Sequence, residues 1–509
     1  MAISTAVIAV VGLAIGIAIL ASNMMRVKVH PQEPPVIHPK VPFFGHLIGM
    51  LQEGPAYLRK ISERCKSPIF TLPILNGRTY VVTSPQLALA VQRACSTLDF
   101  DALIGAASPR LLGANAESTR IITDVKAKEE GRTSLVERLH SVIYPALAMN
   151  KLLDVTQTQL NHFSEFINNV EDGFETNLFH FITRELTAAS MRSFYGPENP
   201  FALHPELIDA FWDWEAGTIP YMINVLPKIT ARKAYYGMEA CIKGFIEYME
   251  NGRFTQADKL LQNRNRLHDE VGISIPEQAR FEVGFAFGFS ANAGISSFWA
   301  IQANALSASN TILFPKLRDA CPLLNSVFRE TLRLSALMVS ARVVLEDTIL
   351  ADTYLLRKGS FVQIEGGIMH LDTNTWRPDT SSCKVLIMSL PLVNPYRFLY
   401  STTGSKTNPD GRITEGKAST VHPAAFRAFG GGASLCPGRH FAQMEIISLC
   451  AVIAMGFDME PVLGEEKISW DTPKDDINFS LTVTKPCKEV KVKLKRRTGY
   501  EHVKWVLER

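Results

Sequence analysis

The stretch FRAFGGGASLCPGRHFA, residues 426–442, sets one cysteine, Cys436, between a run of three glycines and an apolar pattern of helical period. A sulfur at the start of a helix meets unpaired backbone N–H groups and the positive end of the helix dipole, which favour the thiolate. Gly430, Gly431 and Gly432 let backbone amides approach the sulfur without Cβ obstruction. A thiolate so placed can ligate a metal, attack an electrophile or do redox work, and this stretch alone leaves all three open.

The chain has 509 residues, enough for one large catalytic domain or several small ones. With 46% hydrophobic and 20% charged residues it reads as a well-cored globular protein. A formal net charge of +3 is too small to imply nucleic-acid binding, and no nucleic-acid partner is expected. The 8 cysteines show neither metal-finger spacing nor a disulfide framework, which fits free thiols in a reducing compartment.

Residues 1–25 carry no charged side chain, and about 20 apolar residues suffice to cross a bilayer as a helix. Arg26, Lys28 and Lys40 follow the segment and no Lys or Arg precedes it. The positive-inside rule then predicts a single-pass anchor with the large domain in the cytosol. A cleaved signal peptide is the weaker reading, because a basic leading region is missing. Residues 26–42 hold five prolines (31, 34, 35, 39, 42) and read as a semi-rigid hinge. Residues 43–509 read as one mainly helical domain with small β-sheets. Residues 69–75 and 78–83 suggest a hairpin turning at Asn76-Gly77, and Arg342 begins another strand candidate. The tail from Glu489 alternates apolar residues with lysines, as an amphipathic strand does.

One long helix is expected from Ser274 towards residue 308. It opens on a capping box, Ser274-Ile-Pro-Glu277. Gly284, Gly288 and Gly294 each weaken a helix interior by about 1 kcal/mol relative to alanine. Something is therefore expected to lie close to this backbone, although small packing residues in a buried helix are an equal reading. Glu330 and Arg333 lie three apart, on one helix face. Alone they are an ordinary surface ion pair. Asn394-Pro-Tyr-Arg397-Phe lies between them and Cys436.

With these motifs in this order the chain resembles the cytochrome P450 superfamily of haem-thiolate monooxygenases. The family's cysteine signature is matched at Phe429, Gly432, Cys436 and Gly438, and its E-x-x-R motif at Glu330 and Arg333. Arg397 fits the arginine that joins that pair. The resemblance implies a cytochrome P450 fold behind an N-terminal transmembrane helix, in the microsomal branch at the endoplasmic reticulum membrane. It implies a b-type haem with Cys436 as the axial thiolate and metal ligand, because thiolate pushes electron density onto iron and favours O–O cleavage. Phe429 would pack beside the sulfur. Glu330, Arg333 and Arg397 would form a structural network. An NADPH-dependent reductase would supply electrons. Zinc ligation or nucleophilic use of Cys436 lacks partners: no nearby Cys/His set completes a zinc site, and His440 alone makes no dyad.

Several positions depart from the family pattern. Ser434 stands where Arg or His usually meets a haem propionate. Arg342 is the best remaining cation for it, with Arg439 and His140 behind. The family's acid–threonine pair falls at Ala291 and Asn292. Asn292 cannot deliver a proton as an acid does, yet its amide can hydrogen-bond dioxygen or water. Asn292, Phe298 and Trp299 together are similar to the branch holding cholesterol 7α-hydroxylase and prostacyclin synthase. An apolar insert, Cys383–Val393, interrupts the approach to Asn394. A splice-choice artefact is our hypothesis for it, and uniform inclusion in transcripts would sink that idea.

Phe211, Trp212, Trp214, Ile219, Tyr221, Met222, Val225 and Leu226 read either as a pocket roof or as helix packing. The substrate expected is apolar and lipid-like, a sterol, terpenoid or other secondary metabolite. Two alternatives accompany monooxygenation: a haem-thiolate isomerase or dehydratase needing no external electrons, and a membrane-anchored pseudoenzyme.

Overall fold

The computed structural model describes residues 29–39, 45–74, 77–124, 127, 130–306, 321–337, 339–376, 393–395, 397–398, 421–475, 478 and 480–507. The expected anchor and most of the 383–393 insert lie outside them. Among the described residues no helix is long and apolar enough to cross a membrane.

Eleven helices matter here. They are α1 (Pro85–Arg93), α2 (Asp101–Leu112), α3 (Leu135–Ala146), α4 (Leu153–Asn169), α5 (Leu178–Tyr195), α6 (Glu206–Ala216), α7 (Arg232–Glu250), α8 (Ile275–Leu306), α9 (Pro322–Ser335), α10 (Gly366–Leu371) and α11 (Arg439–Gly456). Local chemistry starts them where the chain permits. Ser84 caps α1, with Pro85 in the first turn. Ser134 and Glu137 form a reciprocal capping box on α3. Asn177 accepts from the Phe179 and His180 amides at the start of α5.

The strands make three small sheets. β1 (Ile69–Ile74) and β2 (Gly77–Val82) form the expected antiparallel hairpin, with Phe70 opposite Val81. They belong to a five-stranded sheet of order β1-β2-β8-β5-β3, with β3 (Leu98–Asp99), β5 (Val339–Val344) and β8 (Phe361–Glu365). β6 (Thr348–Leu350) and β7 (Tyr354–Leu356) pair separately, and β4 (Phe174–Asn177), β10 (Lys491–Arg496) and β9 (Phe457–Glu460) make the third sheet. The alternation read in the tail is real: Val492 and Leu494 are buried while Lys491 and Lys495 are exposed. The proline-rich segment is pinned rather than free. Thr71 bonds the Pro34 and Pro35 carbonyls, and buried Glu33 accepts from Tyr80 at 2.9 Å and pairs with Arg78 at 3.0 Å.

The 32-residue α8 is the axis of the helical part. It is apolar on nearly every side, so it must be covered on nearly every side. Phe287 packs on Trp214 of α6 at 5.1 Å between ring centroids, Phe289 on Phe194 of α5 at 4.8 Å, and Phe298 on Phe179 at 5.4 Å. Phe194 also meets Phe441 of α11 at 5.0 Å, which ties the helix leaving the cysteine loop to the same core. The start of α8 differs from the expected capping box. The Glu277 carboxylate instead accepts from the Asn115 amide at 2.9 Å and pairs with Arg280 at 3.3 Å, so it joins α8 to the segment after α2.

The three glycines of α8 split. A Cβ at Gly284 would meet the Leu112 side chain, and one at Gly294 the Trp212 ring and Thr183. At Gly288 it would meet nothing within 4 Å, and Gly288 is exposed in the middle of this otherwise covered helix. Open space therefore lies against the helix there. Gly288→Ala should keep or raise the thermal midpoint, because alanine gains about 1 kcal/mol of helix propensity. Gly237→Ala, whose Cβ would sit 2.2 Å from the Ala210 carbonyl oxygen, should lower it. Thermal unfolding of the two variants checks the pair, and a drop for Gly288→Ala would show that the space is filled by protein.

Glu445 on α11 is wholly buried, and one of its oxygens accepts from Gln159 at 2.9 Å and Ser190 at 2.8 Å. Burial pushes its pKa up to about 8, against the lowering effect of those two bonds. The unfolded chain ionises this carboxyl above its ordinary value of 4.5, the folded chain only near 8. Glu445 therefore costs stability progressively as pH rises from about 4.5 to about 8. Midpoints of Glu445→Gln measured across that range should fall less steeply with pH than those of the parent.

Candidate functional site

Glu330 is 0% exposed, so its pair with Arg333 is a core feature and not the surface ion pair that spacing alone would suggest. Arg333 grips both carboxylate oxygens at 2.8 Å, and Arg397 adds contacts at 2.9 and 3.0 Å. One buried carboxylate thus holds two guanidinium groups, a bidentate arrangement suited to arginine. Arg333 also donates to the carbonyl of His370 on α10, and its guanidinium lies 5.3 Å from the Trp376 ring centroid. The His370 ring Nε2 accepts from the backbone N–H of Arg427 at 2.7 Å, and the ring stacks on Phe426. Burial, then the charges of Arg333 and Arg427, push the His370 pKa down to about 3, so the ring is neutral and can accept. The network therefore runs from α9 to the first residues of the cysteine loop.

That loop closes on itself. The Cys436 N–H donates to the Phe429 carbonyl at 2.9 Å, and Leu435 N–H to Gly432 at 3.1 Å. Gly430 and Gly432 have φ of 75° and 65°, the left-handed region that glycine adopts freely. The glycine run has a different use from the one expected. A Cβ at Gly431 would fall 2.2 Å from Gln92 Nε2, and one at Gly432 2.8 Å from Gln92 Cβ. The glycines make room for α1, while Gly438 and Arg439 supply the backbone hydrogen bonds to the sulfur. Gly438 is the residue before α11, and Phe429 packs against the buried cluster that includes Ile446. Burial raises the Cys436 thiol despite those bonds and the Arg439 charge. The helix start therefore does not by itself yield a thiolate; a bound cation at the sulfur would.

Arg342 lies on β5 and reaches the loop from the other side. It donates to Ser434 Oγ, to Ser340 Oγ at 3.0 Å and to the Ala341 carbonyl at 2.6 Å, with the Phe100 ring 4.8 Å away. Burial lowers its pKa, and Asp99, Tyr144 and Asp101 act against that. Arg342, Ser434, Gln92, Phe100, His140 and Tyr144 all line one cavity of about 420 Å³. His140 is turned to Asp101 at 3.3 Å, and Arg439 binds the Cys436 carbonyl at 3.1 Å. Of the three cations considered in the sequence, only Arg342 joins Ser434.

Asn292 is occupied on one side. Its Oδ1 accepts from the Val483 N–H at 3.0 Å, and Trp299, two turns along α8, donates to the Thr484 carbonyl at 2.7 Å. Glu215 on α6 grips the same segment through Thr482 at 2.7 Å and through Lys485. Asn292 and Trp299 thus both fix residues 483–484 against α8. Of the aromatic stretch around α6, Phe211 and Trp214 are wholly buried packing residues, whereas Val225 and Leu226 are exposed.

Sequence reading missed His370, Gln92 and Arg427. Nothing local marks His370 or Gln92, whereas Arg427 stood within the quoted stretch. The residues fit a haem. Gly288 opens on space, a cavity reaches Ser434 and Arg342, and the buried Nη2 of Arg427 and Nε2 of Gln92 have no partner among the described residues. No group of three His, Cys, Asp or Glu among the described residues could hold a metal ion, so Cys436 has no zinc set there.

The fold is mainly helical around one long helix, and a lone cysteine stands in a glycine loop backed by a buried arginine–carboxylate network. The structure matches the heme domain of cytochrome P450DA with a TM-score of 0.62 at 15% identity, covering 92% of this chain and 99% of that one, which bears on fold alone. The family model "Cytochrome P450" matches residues 315–488. A cytochrome P450 monooxygenase, nodJ, of Hypoxylon pulicicidum is 29% identical over 96% of this chain and 94% of its own length. One of Gibberella zeae is 25% identical over 93% and 91%. Cholesterol 7-alpha-monooxygenase of Cricetulus griseus is 24% identical over 54% and 56%. The chain belongs to the cytochrome P450 superfamily. It is a P450 monooxygenase whose cofactor is haem, held by a cysteine thiolate.

Removing Glu330 would take the carboxylate away from the buried Arg333 and the half-buried Arg397, at a cost of about 3–5 kcal/mol. Glu330→Ala should therefore abolish recovery of folded, haem-loaded protein, read as haem absorbance per mole of soluble chain. Near-parental recovery would show that the network is dispensable.

Proposed function

We propose that Cys436 would hold the iron of a b-type haem through its thiolate and that the enzyme oxidises an apolar, lipid-like substrate. The observation that carries this reading is the open space against Gly288, in a helix otherwise walled by aromatic side chains. When bound, the haem supplies the activation of dioxygen. The protein's own part is then to hold and to exclude. The loop fixes the sulfur through the Phe429 carbonyl, Gly438 and Arg439. Glu330, Arg333, Arg397 and His370 keep the loop in place. Arg342 offers positive charge beside Ser434.

Asn292 is a hydrogen-bonding residue in this scheme and not an acid. With Oδ1 committed to Val483, its amide N–H₂ is the group left to donate to water or dioxygen. The substrate class is a sterol, terpenoid or other secondary metabolite. The support is the aromatic wall of α8 and the partial likeness to a protein whose name gives cholesterol as its substrate. Electrons come, in this reading, from NADPH through a reductase.

The anchor at residues 1–25, the hinge and the endoplasmic reticulum location belong to the same proposal. An exposed apolar patch supports a membrane-facing surface: Ile223, Val225, Leu226 and Ile229, the last 74% exposed, beside Lys228, Arg232 and Lys233. We find no specific observation that favours an isomerase, a dehydratase or a pseudoenzyme.

Microsomes containing the full chain should, once reduced and exposed to carbon monoxide, show the Soret band of thiolate-ligated haem. They should convert a member of a sterol and terpenoid panel only with NADPH and reductase. Cys436→Ala should lose the band. Asn292→Leu should keep it, with turnover lower by about tenfold, the size of one lost hydrogen bond. A normal band in Cys436→Ala, or turnover without NADPH, would overturn the proposal.

A further inference from the structure

Arg427 is a buried cation that no described carboxylate pairs. It is 4% exposed, its Nη2 is buried without a partner, and it forms no ion pair among the described residues. Its guanidinium ends at Gly431, where Nη1 lies 3.3 Å from the position a Cβ would take, and Gln92 Nε2, also buried and unpartnered, ends at the same glycine. Arg342 is close enough for its charge to act on Arg427. Burial, then that charge, lowers the Arg427 pKa to about 10, which leaves the guanidinium protonated at neutral pH. Two buried cations and an amide donor thus gather around residues 431–434, with no carboxylate on Arg427 among the described residues.

Such an arrangement is unstable unless an anion completes it, because an unpaired buried charge carries a large desolvation cost. The anion must lie at the loop carrying Cys436, and it must accept from more than one donor. A carboxylate of the haem meets both needs. Ser434, where a cation is usual, cannot supply the charge, and it accepts from Arg342 instead. His370 fixes where Arg427 starts by accepting from its backbone N–H.

We propose that Arg427 is a positioning residue for a haem propionate, standing in with Arg342 for the cation that Ser434 replaces, and that Gln92 completes the same anion site. This rests on the haem reading of the Cys436 site.

The test uses the full-length, haem-loaded protein and does not rely on turnover. Haem loss to an excess of apomyoglobin and the propionate bending bands of the resonance Raman spectrum are measured for the parent, Arg427→Met and Arg427→Met/Ser434→Arg. Arg427→Met should lose haem about tenfold faster, the effect of one charge-assisted hydrogen bond, and should shift the propionate bands. Adding Ser434→Arg should reverse both changes. Parental haem loss and bands in Arg427→Met would overturn the assignment. If Arg427→Met yields no folded holoprotein, Arg427→Lys is read instead: shifted bands support the proposal, and bands identical to the parent's overturn it. The carbonyl Soret band of the parent separates this result from the ligand reading, since its absence would count against Cys436 itself.

Discussion

The buried carboxylate of Glu330 is the constraint on which the cysteine site depends. A lone carboxylate at 0% exposure would be neutralised by its surroundings, yet Glu330 is gripped by Arg333 and Arg397 at 2.8–3.0 Å. The pairing fixes a helix, a later loop and, through Arg333 and His370, the entry to the cysteine loop. A buried salt bridge of this kind is weak evidence for stability but good evidence for a unique geometry. Here that geometry is the placing of one sulfur.

Around the sulfur the protein leaves charges open instead of closing them. Arg342 meets only neutral hydrogen-bond acceptors, Arg427 and Gln92 keep buried donors unpaired among the described residues, and the Cys436 thiol is raised by burial. Each feature costs the free protein something. Each is relieved by one occupant that brings a metal cation to the sulfur and carboxylates to the arginines. The site thus reads as a mould whose electrostatics make sense only when filled.

Much of this was legible in the sequence. The cysteine loop, the i,i+3 spacing of Glu330 and Arg333, the hairpin before Val82 and the alternating tail are local patterns, and each appears where the pattern put it. What sequence hid depends on contacts between distant segments. The burial of Glu330 follows from a loop more than 60 residues away. Gly431 and Gly432 are small because α1 packs on them, and Gln92 carries no local mark of that. Asn292 read as an amide able to hydrogen-bond dioxygen or water, but one side of it is spent on Val483, 191 residues later. Only the glycines of α8 were ambiguous in a useful way: two admit packed side chains, and Gly288 admits space.

We place the iron of this protein on Cys436. X-ray absorption at the iron edge of the purified ferric protein tests that placement. One sulfur is expected among the iron's nearest neighbours in the parent and none in Cys436→His. A first shell of nitrogen and oxygen alone in the parent, or a sulfur that survives that substitution, would contradict it.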